Sequence, residues 1–355
     1  MKKALILGGT GAMGVHLVSL LAGCTKEWKV DVTSRSERVD FKNVHYIQGN
    51  AHDDFFIKSL VKNTTYDVIV DFMNYGFDEF LHRYQILLNA TSHYVFLSSS
   101  RVYAESPLPI TEHSPRLLET TTDAEFLATQ RYALRKARQE DMLLNSGKTN
   151  FSIIRPYITY STQRIQLGIY EKEQWLFRLL NRKPLVIRKD ILSKRTTLTS
   201  GLDVANVLAR VMQGQPLNSP LQIVSTENIT WNEILCLYCS IIKHETDIPV
   251  SIFTTNSLGD IERLFEGGYN TQYDRLLDRI FDNSKVKSLY KYTQYLPVKI
   301  GLTNCLTQFI HEWKQKGNQI FLPLIQEYEE IMDEMLRNNH TLTVFNVSNM
   351  GAKHA

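Results

Sequence analysis

The chain has 355 residues, enough for one large domain or two unequal ones. Hydrophobic residues make up 43% of the sequence and charged residues 22%, which is ordinary for a globular protein. The net charge of +3 is too small to indicate a nucleic-acid partner, and no apolar run approaches the ~20 residues that cross a bilayer. Composition therefore predicts a globular protein without nucleic-acid or membrane partners.

The N-terminal segment is the most informative part of the sequence. An apolar run, Ala4–Leu7, is followed by glycines spaced G-x-x-G-x-x-G at Gly8, Gly11 and Gly14. The pattern is typical of a buried strand that turns tightly into a helix: Gly8 permits the turn, Gly11 lets a pyrophosphate approach the backbone, and Gly14 lets the helix pack on the strand. The free N–H groups at the helix start favour phosphates, so a dinucleotide is the predicted ligand.

Two other interpretations of this segment are open. The glycines could belong to an ordinary strand–turn–helix without a ligand. The basic start, followed by Leu21-Ala22-Gly23-Cys24, could be a lipoprotein signal. Four glycines within residues 8–14 interrupt the apolar core that such a signal needs, which favours the phosphate-binding loop.

Strands and helices alternate through the first half of the sequence. The predicted strands are Ala4–Leu7, Val30–Thr33, Val44–Gln48, Val68–Asp71, Tyr94–Ser98 and Phe151–Ile154, and the helices between them include Met13–Leu21, Asp54–Lys62, Phe80–Ala90 and Tyr132–Leu144. Because the strands are almost continuously apolar, we expect an α/β fold with a doubly wound parallel sheet.

The regular alternation ends near Pro156. We predict a dinucleotide-binding domain over residues 1–160, to which residues 196–225 return with a helix and a strand. Residues 161–195 and 226–335 are predicted to form a smaller, mostly helical substrate-binding domain. Residues 336–355 are expected to be a loosely held tail.

The four cysteines do not indicate a disulfide framework. Cys236 and Cys239 form a C-x-x-C within a predicted amphipathic helix, and no second pair of ligands follows at zinc spacing. We therefore predict buried thiols, no metal site and a cytoplasmic location.

Tyr132 and Lys136 are four residues apart on a predicted helix, so their side chains share one face. An ammonium close to a phenol favours the phenolate form, and such a tyrosine can pass a proton to or from an alcohol or a ketone. The spacing Y-x-x-x-K is also common by chance in exposed helices. The pair is therefore a candidate catalytic site that needs further support.

A third motif, Tyr94–Tyr103, is an apolar strand that ends in Ser98, Ser99 and Ser100. Ligands of doubly wound folds lie beyond the carboxyl ends of the strands, so a serine there can hydrogen-bond a reacting oxygen. In isolation the same residues would equally form a serine-rich turn.

With these motifs in this order, the chain resembles the extended short-chain dehydrogenase/reductase family, whose members mostly act on nucleotide sugars. The resemblance covers roughly residues 1–295. It rests on the glycine loop, the serine-ended strand before Val102-Tyr103, the helix from Tyr132 to Glu140, the segment Ile154–Tyr160 and the later Asp203-Val204-Ala205. Since members commonly dimerise, the resemblance also implies a homodimer.

The resemblance implies roles at matching positions. Tyr132 would be the acid/base catalyst, Lys136 its partner and a donor to the nicotinamide ribose, and Ser99 the catalytic hydroxyl. Asn50 stands where the family usually has Asp, and its carbonyl oxygen can still accept from adenine. The further cofactor-binding positions that the resemblance implies are Gly8, Thr10, Gly11, Ala12, Met13, Gly14, Ser34, Arg35, Ala51, Phe72, Met73, Ser98, Pro156, Tyr157 and Thr159.

The sequence departs from the family at the end of the second strand. NAD-preferring members carry an acidic residue there, whereas this chain has Ser34 followed by Arg35, with Arg38 nearby. A carboxylate would repel a 2′-phosphate and Ser-Arg would accept one, so NADP is the predicted cofactor and NAD the alternative. Asp31 lies within the strand and is a poor substitute for the missing acid.

The positions after Ser99 separate the activities of the family. Dehydratases carry Asp-Glu directly after the catalytic Thr, whereas this chain has Ser100 and Arg101, which argues against elimination of water. The predicted activity is therefore reduction of a 4-keto group with NADPH. An NAD-dependent 4-epimerase is the alternative, and a non-catalytic binding or regulatory member of the fold is the second.

The segment from Arg164 to Arg188 resembles the substrate region of bacterial enzymes that reduce dTDP-4-keto-6-deoxyglucose to dTDP-fucose for lipopolysaccharide and other surface polysaccharides. A nucleotide sugar is therefore the expected substrate. Guanidinium groups suit its pyrophosphate, although each arginine would equally suit a solvated surface. The candidate substrate-binding residues are Ser100, Arg164, Arg178, Arg188 and Arg195.

Overall fold

The computed structural model describes residues 1–62, 64–292, 294–338 and 342–345. They divide into a first unit of Met1–Thr159, Thr199–Thr226 and Phe281–Tyr295, and a second unit of Tyr160–Leu198, Glu227–Ile280 and the described residues from Leu296 onwards. The segment Phe281–Tyr295, predicted in the substrate-binding domain, belongs to the first unit. The assignment of the two units to cofactor and substrate stays a prediction.

The strands and helices follow the predicted alternation in the first half of the chain. In chain order, the strands are β1 Lys2–Leu7, β2 Trp28–Ser34, β3 Val44–Gln48, β4 Tyr66–Asp71, β5 Thr91–Leu97, β6 Phe151–Pro156, β7 Thr159–Tyr160, β8 Leu185–Arg188, β9 Arg195–Thr196, β10 Thr199–Ser200, β11 Pro220–Ile223, β12 Ile229–Thr230, β13 Ile252–Thr255 and β14 Thr343–Val344. The α-helices are α1 Gly14–Ala22, α2 Asp54–Lys62, α3 Phe77–Asn89, α4 Leu117–Thr120, α5 Ala124–Leu127, α6 Tyr132–Leu144, α7 Lys172–Leu180, α8 Lys189–Leu192, α9 Gly201–Gln213, α10 Trp231–Thr246, α11 Asp260–Leu264, α12 Ser284–Tyr290, α13 Val298–Lys316 and α14 Gln326–Asn338.

The first unit is built on a seven-stranded parallel sheet. Its strand order is β11-β6-β5-β4-β1-β2-β3. The chain moves outward in one direction from β1 through β2 and β3, and in the other direction from β4 onwards. In doubly wound sheets the crevice at this reversal is where ligands bind. The predicted α/β fold is confirmed.

Alternate residues of each strand enter two separate apolar cores, because successive side chains point to opposite faces. On β1, Ala4 and Ile6 pack with helices α1 and α9, while Leu5 and Leu7 pack with helices α2 and α3. Burial of each large aliphatic side chain contributes about 1.5–3 kcal/mol. Since helices cover both faces of the sheet, a ligand can contact the sheet at the ends of its strands.

The second unit combines helices with small sheets. Trp175 of α7 stacks on Tyr238 of α10, with ring centres 4.8 Å apart. Strand β13 pairs with β8 in parallel and with β14 in antiparallel register. Residues 336–338 of the predicted tail therefore complete α14, and residues 343–344 form β14. Residues 339–341 and 346–355 lie outside the described residues.

Helix α10 carries the C-x-x-C pair. Cys239 is buried, Cys236 is half-buried, and burial raises the pKa of both thiols, that of Cys239 to about 12. Among the residues that the structure describes, no cluster of His, Cys, Asp or Glu could hold a metal ion. Over the same residues, no helix is both long and apolar enough to cross a membrane.

Candidate functional site

The carboxyl ends of the parallel strands bring most predicted site residues of the first unit to one edge of the sheet. Because the strands are parallel, residues that follow them are neighbours in space even when they are distant in sequence. Gly8 follows β1, Ser34 ends β2, Phe72 and Met73 follow β4, Ser98, Ser99 and Ser100 follow β5, and Pro156 ends β6.

In the glycine loop, Gly8 and Gly14 are required by the backbone and its packing, whereas Gly11 faces open space. Gly8 has a φ of +70°, and its N–H donates to Thr33 Oγ1 at 3.2 Å. A Cβ on Gly14 would lie 2.6 Å from the Gly9 Cα, so the start of α1 can lie against the loop only without a side chain. Gly11 is exposed, and a Cβ there would meet only the Gly8 carbonyl, at 3.6 Å. The space above Gly11 is therefore open to a ligand.

The start of α1 supplies the other half of an anion site. Met13 occupies the N-cap, and its thioether does not cap the first N–H groups of the helix. Thr10, Ala12 and Met13 are half-buried between the loop and the helix. Uncapped N–H groups at a helix start carry partial positive charge and accept phosphate oxygens well.

The end of β2 places a hydroxyl and two arginines together. Ser34 is buried, and its Oγ accepts from Arg38 Nε at 3.2 Å. The Arg38 guanidinium carbon lies 5.8 Å from the centre of the Tyr46 ring, while Arg35 is exposed. Sequence reasoning noted Arg38 only as nearby, and its spacing of four residues from Ser34 was the available signal.

The turn after β3 holds the predicted adenine residues. Asn50 is exposed, and its Oδ1 accepts from the His52 N–H at 3.1 Å, which leaves one lone pair for a further donor. Ala51 is buried, and its carbonyl accepts from Arg83 Nη1 at 2.7 Å. The arginine therefore fixes the backbone of this turn from inside the unit.

The three serines after β5 have three different partners. Ser98 Oγ donates to Glu140 Oε1 at 2.5 Å, and Ser100 Oγ donates to the Arg155 carbonyl at 2.8 Å. Ser99 Oγ accepts from the Arg101 N–H at 3.2 Å and caps the 3-10 turn Ser100–Val102. Ser98 and Ser100 thus hold the strand end in place, and Ser99 remains the candidate catalytic hydroxyl.

Glu140 lies one turn after Lys136 on α6 and is completely buried. Arg155 donates to both of its oxygens, at 2.8 and 2.6 Å, and Arg116 donates to Oε2 at 3.2 Å. Together with Ser98, these contacts fix α6 to the ends of β5 and β6. A glutamate at helical spacing from Tyr132 and Lys136 was the sequence signal for this position.

Lys136 is the most deeply buried residue of the candidate catalytic group, with 2% of its surface exposed. Its Nζ donates to the Leu97 carbonyl at 2.8 Å and to the Met73 carbonyl at 3.4 Å. Burial lowers the pKa of Lys136 to about 8, against the opposing charges of Asp71 and Glu140. The lysine therefore connects α6 to the ends of β4 and β5.

Tyr132 is half-buried and begins helix α6. The guanidinium carbon of Arg101 lies 5.1 Å from the centre of its ring, and that of Arg135 lies 5.9 Å away. Cations at these distances attract the ring face. Sequence reasoning treated Arg101 only as a departure from a dehydratase pattern, and its contact with Tyr132 was not predicted.

The residues after β6 are buried in the first unit. The Tyr157 ring packs against Phe281, with ring centres 5.0 Å apart, and Thr159 has little exposed surface. Their contact with a nicotinamide stays a prediction.

The four candidate arginines lie in the second unit, and each one faces carboxylates of that unit. The contacts are Arg164 with Glu171 at 2.9 Å, Arg178 with Glu329 at 2.9 Å and Asp333 at 2.5 Å, Arg188 with Asp190 at 2.7 Å and Glu262 at 2.9 Å, and Arg195 with Asp278 at 3.9 Å. Arg178 is completely buried, so its contacts favour a structural role. Arg164 and Arg195 have the most exposed side chains and remain candidates for a substrate phosphate.

Comparison with known proteins identifies the family. The chain belongs to the NAD dependent epimerase/dehydratase family, whose model matches residues 4–219. A search of curated proteins found no match.

Similar solved structures share the fold. The enzyme WbmH of Bordetella bronchiseptica, in complex with NAD+, is 17% identical with a TM-score of 0.63, covering 89% of this chain and 100% of that one. A dTDP-glucose 4,6-dehydratase from Bacillus anthracis, in complex with NAD, is 14% identical with a TM-score of 0.67, covering 90% and 98%. A UDP-N-acetylglucosamine 4-epimerase from Methanobrevibacter ruminantium, in complex with UDP-N-acetylmuramic acid, is 17% identical with a TM-score of 0.66, covering 88% and 99%.

The glycine geometry predicts different effects of two alanine substitutions. Gly14→Ala should lower the free energy of unfolding by about 1–3 kcal/mol, because its Cβ would overlap the Gly9 backbone. Gly11→Ala should change it by less than about 0.5 kcal/mol, because its Cβ enters open space. Equilibrium urea unfolding followed by tryptophan fluorescence measures both, and equal losses would contradict this account of the loop.

Proposed function

We propose that the protein is an oxidoreductase that interconverts a hydroxyl and a keto group on a nucleotide-activated sugar with a nicotinamide dinucleotide. The observation that carries this proposal is the convergence of the open glycine loop with Ser99 and the Tyr132–Lys136 helix at one edge of the sheet. Family membership and the nucleotide-sugar enzymes among the similar structures support it.

The residues at this edge fit a dinucleotide. The open space above Gly11 and the uncapped start of α1 suit a pyrophosphate. Ser34 and Arg35 would hold the adenine ribose, and Lys136 the nicotinamide ribose. When bound, the dinucleotide supplies hydride transfer.

Three side chains would perform the proton chemistry. The Tyr132 hydroxyl would give a proton to the sugar oxygen during reduction and remove it during oxidation. The Ser99 hydroxyl, held at the end of β5, would hydrogen-bond the same oxygen and orient it. The Lys136 ammonium, one helical turn from Tyr132, attracts negative charge that develops on the tyrosine oxygen.

Reduction of a 4-keto group with NADPH is the net reaction we favour. A serine with Arg38 bound to it, beside the exposed Arg35, suits a 2′-phosphate better than a carboxylate would. Elimination of water is disfavoured because Ser100 is buried on the Arg155 carbonyl and Arg101 lies against Tyr132. Neither side chain can act as the carboxylate acid or base of a dehydratase.

A nucleotide-sugar 4-epimerase that retains NAD is the second candidate. It is favoured by the similar structures, which include a 4-epimerase and complexes with NAD. The two reactions would use the same tyrosine, lysine and serine, and they differ in whether the dinucleotide is consumed.

Cofactor stoichiometry tests the proposal. With a dTDP-4-keto-6-deoxyhexose, a ketoreductase should consume one NADPH for each sugar reduced, seen as loss of the near-ultraviolet absorbance of NADPH. Inversion at C4 of a hydroxylated nucleotide sugar with catalytic NAD would instead establish the epimerase. If the protein catalyses neither reaction with any of a set of dTDP- and UDP-sugars, that result would favour a non-catalytic binding protein.

Tyr132→Phe should lower the turnover rate at least about 100-fold and leave dinucleotide binding unchanged, because it removes only the proton donor. Steady-state kinetics and calorimetric titration of the dinucleotide measure the two effects. Tyr46→Phe, which removes only the hydroxyl of a half-buried tyrosine on β3 and keeps the ring that lies against Arg38, is the matched control and should retain activity. Full activity of the Tyr132 variant would assign the proton transfer to another group.

Arg35→Ala should raise the KM for NADPH at least about tenfold more than the KM for NADH, because only NADPH carries the 2′-phosphate. Initial rates with each dinucleotide give the two values. An equal change in both would show that Arg35 does not recognise the 2′-phosphate.

A further inference from the structure

Asp71 is a buried carboxylate without a role in the proposed chemistry. It is the last residue of β4 and has no exposed surface. Its oxygens accept from the Tyr94 hydroxyl at 2.7 Å and from the Met73 N–H at 3.0 Å. Ionised carboxylates are almost never buried unless they are paired, so this position calls for a counter-charge.

Contacts with the Phe96 ring and the Met73 backbone place Lys136 near this carboxylate. Asp71 is paired with Phe96 on β5, and register partners on neighbouring parallel strands point to the same face about 4.8 Å apart. The Lys136 ammonium lies 4.6 Å from the centre of the Phe96 ring. The backbone of Met73 also contacts both groups, because its N–H donates to Asp71 and its carbonyl accepts from Lys136.

We propose that Asp71 is a positioning residue, the buried counter-charge that keeps Lys136 protonated and fixed at the ends of β4 and β5. This inference rests on the proposed function for its catalytic meaning. The charge coupling itself does not require turnover.

The ionisation of the pair is a balance of burial against charge. Burial raises the pKa of Asp71, while Tyr94, Met73 and Lys136 favour its carboxylate. Burial lowers the pKa of Lys136 to about 8, and Asp71 is the largest charge opposing that fall. The titratable and charged groups that face the pair come from three elements and the segment after β4: Tyr75 in that segment, Arg83 on α3, Tyr94 on β5, and Arg135 and Glu140 on α6.

The sign of the effect follows from this balance. The ammonium of Lys136 is present below about pH 8 and is lost above it. Removal of the Asp71 charge leaves the lysine just as buried but takes away the largest negative charge that favours its ammonium, so the lysine should lose its proton at lower pH. An opposite charge at short range moves such a midpoint by about 1–3 units.

Asp71→Asn tests the inference, because the amide oxygen can still accept from Tyr94 and Met73. The protein is labelled with carbon-13 at the lysine Cε, and the Lys136 signal is assigned by its absence in Lys136→Arg. The midpoint of its pH titration should fall by about one unit or more in Asp71→Asn. An unchanged midpoint would mean that the pair is neutral or uncoupled and would overturn the proposal.

Asp31→Asn is the matched control. Asp31 is a buried strand aspartate that also accepts from a tyrosine, Tyr66 at 2.9 Å, but its cation is Lys3 at 3.1 Å. Its loss should leave the Lys136 midpoint unchanged, and an equal shift in both variants would show a general effect of weakened packing. Should Asp71→Asn not fold, Tyr94→Phe removes one hydrogen bond that favours the ionised form of Asp71. With less negative charge on Asp71, the Lys136 midpoint should also fall, but by less than in Asp71→Asn.

The readout separates this inference from the proposed function. A shifted midpoint in a protein that turns over no nucleotide sugar would support the counter-charge and defeat the function. Turnover with an unshifted midpoint would support the function and defeat the counter-charge.

Discussion

The common direction of the seven strands is the constraint on which the rest of the first unit depends. Helices cover both faces of the sheet, so the strand ends are where its backbone is open to contact with a ligand. At the carboxyl ends of the strands, the last backbone carbonyls have no neighbouring strand residue that could donate a hydrogen bond to them. Two carbonyls at this edge, those of Leu97 and Met73, accept from Lys136, so one buried lysine both closes the strand ends and faces the candidate site.

Charge is distributed unequally between the two faces of the sheet. On one face, Val68, Val70 and Val95 join an apolar core, in which the buried Asp203 of α9 accepts from the Tyr292 hydroxyl at 2.5 Å. On the other face, the charged side chains of Asp71, Lys136 and Glu140 are buried near the strand ends, next to the apolar layer. An unpaired buried charge costs several kcal/mol, which is why Glu140 is held by two arginines and a serine. The helix that carries the candidate catalyst lies on the charged face, where its position is fixed by several hydrogen bonds at once.

The sequence was sufficient for the fold and for the identity of the edge residues, but not for their partners. The strands were predictable because apolar runs bounded by polar residues are a local pattern, and the glycine loop because its spacing is local too. The return of Phe281–Tyr295 to the first unit was not predictable, because it depends on Val286 of α12 entering a core with residues of α9 and β11 that are distant in sequence. Likewise, Ser98, Ser99 and Ser100 look alike in sequence. The partners of Ser98 and Ser100 come from α6 and β6, which only the folded chain brings together, whereas Ser99 bonds within its own turn.

Lys136 illustrates why function and stability are coupled at this edge. An ammonium has three donors, and within the described chain two of them are directed at the Leu97 and Met73 carbonyls. The third is then available for a ribose hydroxyl or for the oxygen of Tyr132. Because the stem is buried and the two carbonyls hold the ammonium, binding a ligand would cost little side-chain entropy, which favours a preorganised site. Replacement of the lysine would remove fold contacts and the charge proposed for catalysis together, whereas Asp71→Asn keeps an acceptor for Tyr94 and Met73 and removes only the charge near the lysine. The carboxylate is therefore the position at which the electrostatic contribution of the lysine can be separated from its structural one.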